Sequence, residues 1–254
     1  MNPVRTRGWR AGSAGLVLAL GCLGGCAAGG DGGGAVPAPA ADRAAAYLDL
    51  ARGYLQGEKP ARAREPLLRA LELDPERVEA HVLAGVLYER EGEFEVAERH
   101  FRAALALDPA DAQALNNYGA FLYGRARFRD ALGPLRRASG ITGYRLRAQA
   151  FENLGLTELA LGRADAARRA FERALELDGN RARSALELAG IHYSEREYAA
   201  AERYYHDYLA QAGETGRSLC LGLWLGGVAN ATRRSVNHAK QLRARYPGAV
   251  SSCR

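Results

Sequence analysis

The residues able to do chemistry are few: five histidines, His81, His100, His192, His206 and His238, and four cysteines, Cys22, Cys26, Cys220 and Cys253. The histidines form no HExxH pair and no other ligand spacing, and His81 falls at a position that packs rather than binds, so no metal centre is expected. Neither a phosphate-cradling glycine loop nor a GxSxG elbow occurs in the body of the chain. Glu195-Arg196-Glu197 reads as a solvated turn. The chain is therefore expected not to be an enzyme and to carry no cofactor, which leaves the thiols as its chemically distinctive groups.

Cys26 closes an export-type leader. Arg5, Arg7 and Arg10 form a basic start, Ala11 to Gly21 is a short apolar run, and Leu23-Gly24-Gly25 precedes the cysteine. The run is too short to span a bilayer. The layout resembles the bacterial lipoprotein signal, over residues 1–25, in which the cysteine after the cut carries the lipid. Cys22 fits less well, because Ala19 stands three residues before it. The resemblance implies acyl chains on Cys26, each buried methylene contributing about 0.8 kcal/mol, enough to hold the chain on a membrane. Ala27 in place of Asp favours the outer membrane, on its periplasmic face.

Removal of that leader lowers the formal charge from +6 to about +3. The basic residues are nearly all arginine, with Lys59 and Lys240 the only lysines, and they alternate with acidic residues. That pattern fits solvated helix faces and gives no footprint for nucleic acid. Residues 26–41, rich in Gly and then Pro, read as a linker reaching on the order of 20 Å.

Residues 42–248 repeat. Leu71-Glu72-Leu73-Asp74-Pro75 returns as Leu105-Ala106-Leu107-Asp108-Pro109 and again as Leu175-Glu176-Leu177-Asp178-Gly179. A period of about 34 residues with small and aromatic residues at fixed offsets is the tetratricopeptide signature. The fold class expected is all-α, a right-handed solenoid of five to six helix pairs. Repeats numbered from Ala44, Val78, Ala112, Ala148 and Ala182 place Ala51, Gly85, Gly119, Gly155 and Ala189 at position eight. Small residues there and at position twenty allow close helix approach. Gly92 and Gly162 mark turns, Pro75 and Pro109 end second helices, and Pro66 and Pro134 inside second helices predict kinks. Residues 219–246 are expected to form a degenerate capping pair or to expose an apolar surface to a partner, with 249–254 a tail.

Positions two, five, nine and twelve of the first helices are expected to line a partner-binding groove. Its residues are Leu48, Arg52, Leu55, Val82, Val86, Asn116, Tyr123 and Leu156, with Asn117 and Asn153 beside them at position six. Position five holds Leu48, Val82, Asn116 and Glu152, which supplies no cationic clamp for a carboxylate; an apolar or amphipathic ligand centred on Leu48, Leu55, Val82 and Val86 is expected, and Asn117 and Asn153 are open to two readings, bonds to the ligand backbone or an ordinary polar lining. Cys220 and Cys253 remain after processing. They are open to two readings, a disulfide permitted by the periplasm or a buried thiol beside a frayed tail.

Several strings exceed what repeat packing requires: Leu115-Asn116-Asn117-Tyr118-Gly119-Ala120-Phe121-Leu122-Tyr123, Ala150-Phe151-Glu152-Asn153-Leu154-Gly155-Leu156, Ala185-Leu186-Glu187-Leu188-Ala189, Arg217-Ser218-Leu219-Cys220-Leu221-Gly222 and Leu242-Arg243-Ala244-Arg245-Tyr246-Pro247-Gly248. In order and spacing they resemble the type IV pilus biogenesis and stability lipoprotein family. The departures are Cys220, where an aliphatic residue is expected, and the tail ending in Cys253. The resemblance implies a pilotin: a lipoprotein, monomeric before assembly, that binds the outer-membrane secretin, brings it to the membrane and promotes its multimerisation. A general periplasmic scaffold lipoprotein for envelope assembly or peptidoglycan enzymes is the alternative.

Overall fold

Helix α1 (Ala40–Gln56) starts directly after Pro39, whose carbonyl accepts the Arg43 amide at 3.1 Å. The expected linker boundary at residue 41 therefore falls inside the first turn, where Ala40 and Ala41 are strong helix formers and Asp42 complements the helix dipole. The structure, a computed structural model, describes residues 39–228, 231–246, 248 and 253. The leader, Cys26 and the rest of the linker lie outside the described residues.

Eleven further helices follow: α2 (Pro60–Leu73), α3 (Val78–Arg90), α4 (Phe94–Leu107), α5 (Ala112–Gly124), α6 (Phe128–Gly140), α7 (Arg147–Ala160), α8 (Ala164–Leu177), α9 (Ala182–Ser194), α10 (Tyr198–Ala212), α11 (Gly216–Leu225) and α12 (Arg233–Arg245). No strand occurs among the described residues. Each odd helix packs on the even one that follows, each pair packs on the next, and successive odd helices also touch. This is the tetratricopeptide solenoid, with α11 and α12 as the sixth pair.

The glycine at position eight has a different neighbour from the one the pattern implies. A Cβ on Gly85 would sit 2.6 Å from the Phe101 ring, one on Gly119 2.5 Å from Leu135, and one on Gly155 2.6 Å from the Phe171 ring. The space is thus taken by the large side chain at position twenty-four, while Ala97, Ala131 and Ala167 at position twenty are wholly buried beside it. The stack gains fully buried Phe101, Leu135 and Phe171 because three glycines yield their side-chain volume.

The turn inside each repeat carries one left-handed residue. Gly92 and Gly162 take φ of 79° and 74°, as expected for glycine, but Glu58, Ala126 and Arg196 take 54°, 57° and 64° at equivalent places. Helices α2 and α6 each continue as a single element through Pro66 and Pro134.

Candidate protein-interaction surface

Packing of successive odd helices against one another decides which expected groove residues are available. Leu48 and Val82 are each only 1% exposed, and Leu55, Asn116 and Leu156 are buried as well. Leu48 and Leu55 share a core cluster with Leu67, Leu83 and Leu87, so position five in the first two repeats serves the seam between neighbouring pairs. This corrects the expectation of an apolar groove centred on Leu48, Leu55, Val82 and Val86: the first three belong to the protein interior. Charging Leu48 or Val82 would break the core, not a docking surface.

Arg52, Val86, Asn117, Tyr123 and Asn153 are half-buried. Most are already engaged. Arg52 bonds Asp49 at 2.5 Å and pairs with Glu79 of the next repeat. Val86 packs against the cluster of Phe101, Phe121 and Leu135. Tyr123 lies 5.4 Å from Phe128, ring to ring, and packs beside Leu156 and Leu159. Asn153 donates to Asn116 at 3.0 Å, joining α7 to α5, so it is not free to bind a ligand backbone. The Asn117 side chain makes no hydrogen bond among the described residues and remains available.

The same stitching recurs at the other seams. Glu152 accepts from Arg181 at 2.8 Å and from the Ser184 hydroxyl at 2.8 Å, and Glu187 accepts from Arg217 at 2.7 Å. Glu98 takes Arg127 at 2.8 Å and the Tyr118 phenol at 3.0 Å. Burial pushes the Glu98 carboxyl up, but these bonds and the nearby guanidinium groups more than offset it and hold it below the ordinary carboxylate range.

Position eleven departs from the aromatic or aliphatic residue found earlier in the chain. In the fourth repeat it is Glu158, buried and paired with Arg136 at 2.6 Å and Arg163 at 3.2 Å. In the fifth it is His192, buried, stacked on Tyr204 and bonded through Nδ1 to Glu197 at 2.6 Å. His192, Glu195 and Glu197 bring ligand-capable atoms within 4.8 Å of one another, a grouping that their spacing in sequence did not suggest. Glu197 is committed to Nδ1, which makes this the tie between α9 and the turn before α10. His81 and His100 meet at 3.1 Å between their Nδ1 atoms, and His81 Nε2 bonds the Pro75 carbonyl at 2.9 Å.

The large apolar side chains left exposed lie elsewhere: Tyr47, Leu50 and Leu68 on the first pair, and Leu107, Leu146 and Leu177 at or beside the connections between pairs. At the last pair the exposed Trp224 stacks on Tyr193 and donates to the Cys253 carbonyl at 2.9 Å. Cys220 and Cys253 are joined in a disulfide in this structure. Among the described residues no helix is long and apolar enough to cross a membrane. Ion pairs and amides thus fix the repeats to one another across the seams.

Comparison with known proteins places this architecture. A tetratricopeptide repeat model matches residues 48–112, 87–144 and 152–215. The type IV pilus assembly protein PilF of Pseudomonas aeruginosa is 40% identical over 205 residues, 81% of each chain. The solved structure of Pseudomonas aeruginosa PilF superposes with a TM-score of 0.77 at 39% identity, over 82% of this chain and 94% of that one. PilW, a type IV pilus biogenesis factor, shares the fold with a TM-score of 0.70 at 24% identity, over 81% of this chain and 94% of that one. By sequence and by architecture, the chain belongs to the tetratricopeptide-repeat family, in the type IV pilus assembly branch represented by PilF.

Proposed function

We propose that this chain is a lipoprotein of type IV pilus biogenesis, held on the periplasmic face of the outer membrane through Cys26, that binds the secretin and promotes its multimerisation. The observation that carries this reading is 40% identity to a pilus assembly protein over four fifths of both chains. The order of parts suits the role: a lipid supplies membrane affinity, the linker supplies reach, and the solenoid presents surface at raised effective concentration. Tyr47, Leu50 and Leu68, exposed on the first pair, offer apolar surface to a secretin segment.

The test is fractionation of secretin multimers from cells carrying the wild type, a deletion, Cys26→Ala or Leu50→Glu. Multimers should vanish from the outer membrane in the deletion, be reduced or mislocalised with Cys26→Ala, and fall with Leu50→Glu. Normal multimers in all four strains would remove the secretin as client.

A further inference from the structure

The third connection between pairs is longer than its counterparts. Six residues, Ile141 to Leu146, join α6 to α7, where four join α2 to α3, α4 to α5 and α8 to α9. The longer connection and the α8–α9 connection line a cleft of about 280 Å³, whose residues include Arg145, Leu146, Arg147, Leu177, Asp178 and Arg181. Leu146 and Leu177 are large aliphatic side chains left 43% and 40% exposed at its rim.

Guanidinium groups outnumber carboxylates here. Arg145 is exposed and makes no hydrogen bond or ion pair among the described residues. Arg147 uses Nε on the Ser139 carbonyl at 2.7 Å, and no partner takes its terminal nitrogens. Arg181 gives Nη2 to Glu152, while its buried Nε has no partner. Among the described residues that line the cleft, Asp178 is the one carboxylate against Arg145, Arg147 and Arg181, and one of its oxygens accepts the Asn180 amide at 3.1 Å, so positive charge is in excess. A cleft with unspent guanidinium donors and an aliphatic rim complements a ligand that carries a carboxylate next to an apolar side chain, and its volume admits about one such pair.

We propose that this cleft is a docking site for an extended segment of a protein partner that places an acidic side chain beside an aliphatic one. The site lies at the connections between pairs and is distinct from the first-pair face, so it does not rest on the secretin reading. Leu146 precedes the first turn of α7 as its N-cap residue, which makes Leu146→Ser a change the helix tolerates.

The experiment is fluorescence-anisotropy titration of the soluble full-length body with a labelled peptide of alternating leucine and glutamate, at about 0.1 M salt to screen distant charge. The same peptide with glutamine for glutamate is the comparison. The glutamate peptide should bind at least tenfold more tightly than the glutamine peptide, and Arg145→Glu with Leu146→Ser should weaken it at least tenfold. Arg62→Glu, an equal charge change on α2, should leave it within twofold. Equal binding of both peptides, an equal loss with Arg62→Glu, or full binding by the double variant would overturn the proposal. So would flotation of the body with anionic phospholipid vesicles that the double variant abolishes while peptide binding persists, since the occupant would then be lipid. Secretin multimers measured in cells with the same double variant report on the other reading separately, and normal multimers alongside lost peptide binding uphold this site.

Discussion

Gly85 holds the Phe101 ring against the α3 backbone so closely that a Cβ at position 85 would lie 2.6 Å from it. Phe101 is wholly buried in the cluster with Phe121 and Leu135 and cannot swing out. Gly85→Ala is expected to cost about 1 to 3 kcal/mol, as overpacking does, despite the helix-favouring change. Gly190 is also helical, but nothing lies within 4 Å of its Cβ position. Gly190→Ala should therefore stabilise by roughly 0.5 to 1 kcal/mol. Urea midpoints of the two variants check the opposite signs, and a stabilised Gly85→Ala would refute the packing account.

The turn residues invite the reverse exchange. Glu58, Ala126 and Arg196 adopt the left-handed backbone that Gly92 and Gly162 adopt freely. A side chain there costs about 1 kcal/mol or more, partly recovered through lower entropy of the unfolded chain. Ala126→Gly should raise stability by up to about 1 kcal/mol, and Gly92→Ala should lower it by a similar amount. Thermal midpoints of both variants, measured side by side, decide the matter.

Most of the fold could be read from the chain, because leucine-rich helix ends, Asp-Pro stops and small residues recur at a fixed interval that only stacked pairs explain. What could not be read follows from geometry between repeats. Leu48 and Val82 carry the same periodicity as a surface stripe, and only the approach of α1, α3 and α5 to one another turns that stripe into core. The left-handed turns at Glu58, Ala126 and Arg196 are invisible in residue type, since the helices on either side impose them. Asn116 and Asn153 were legible as polar groups on one face but not as partners, because they sit at positions five and six of different repeats and meet only across a seam.

That pairing has its own consequence. Asn116 is buried, and Asn153 supplies a donor to its carbonyl. Asn153→Ala leaves that carbonyl without this bond and should destabilise by about 1 to 3 kcal/mol. The double variant Asn116→Leu, Asn153→Leu should cost less than Asn153→Ala alone, since neither polar group remains to be satisfied. A double-mutant cycle by chemical denaturation measures the coupling, and additive losses would show that the bond contributes nothing.

Acid should weaken the second repeat. Burial, helped by the neighbouring His81 and Arg99, lowers the His100 pKa to about 4, against about 6.5 in an unfolded chain. Between these values the unfolded state binds the extra proton, so stability is full above about pH 6.5 and falls as pH drops toward 4. The neutral arrangement explains why: His81 Nε2 donates to Pro75, leaving its Nδ1 to accept from His100, and a second proton between the two Nδ1 atoms has no acceptor. The loss is on the order of 1 to 2 kcal/mol, discounted for partial exposure. His206 and His238 are lowered by burial too and add in the same sense. His100→Gln should flatten the stability curve between pH 4 and about 6.5 without making it level.

Reduction should loosen the last pair and leave the rest of the stack intact. The Cys220–Cys253 bond spans 33 positions and encloses the whole of α12. Closing a loop of that length stabilises by roughly 3 to 4 kcal/mol on the chain-entropy model. Trp224 reports the event, because its indole stacks on Tyr193 and donates to the Cys253 carbonyl. The other tryptophan is Trp9, so in a chain lacking residues 1–25 the fluorescence belongs to Trp224 alone. In a solenoid each pair touches only its neighbours, so a loss at one end need not propagate. Cys220→Ser or added dithiothreitol should therefore shift Trp224 emission and lower its denaturation midpoint, while helical ellipticity retains a later transition from the earlier pairs. Coincident midpoints by both probes after reduction would show instead that the terminal pair unfolds as one cooperative unit with the others.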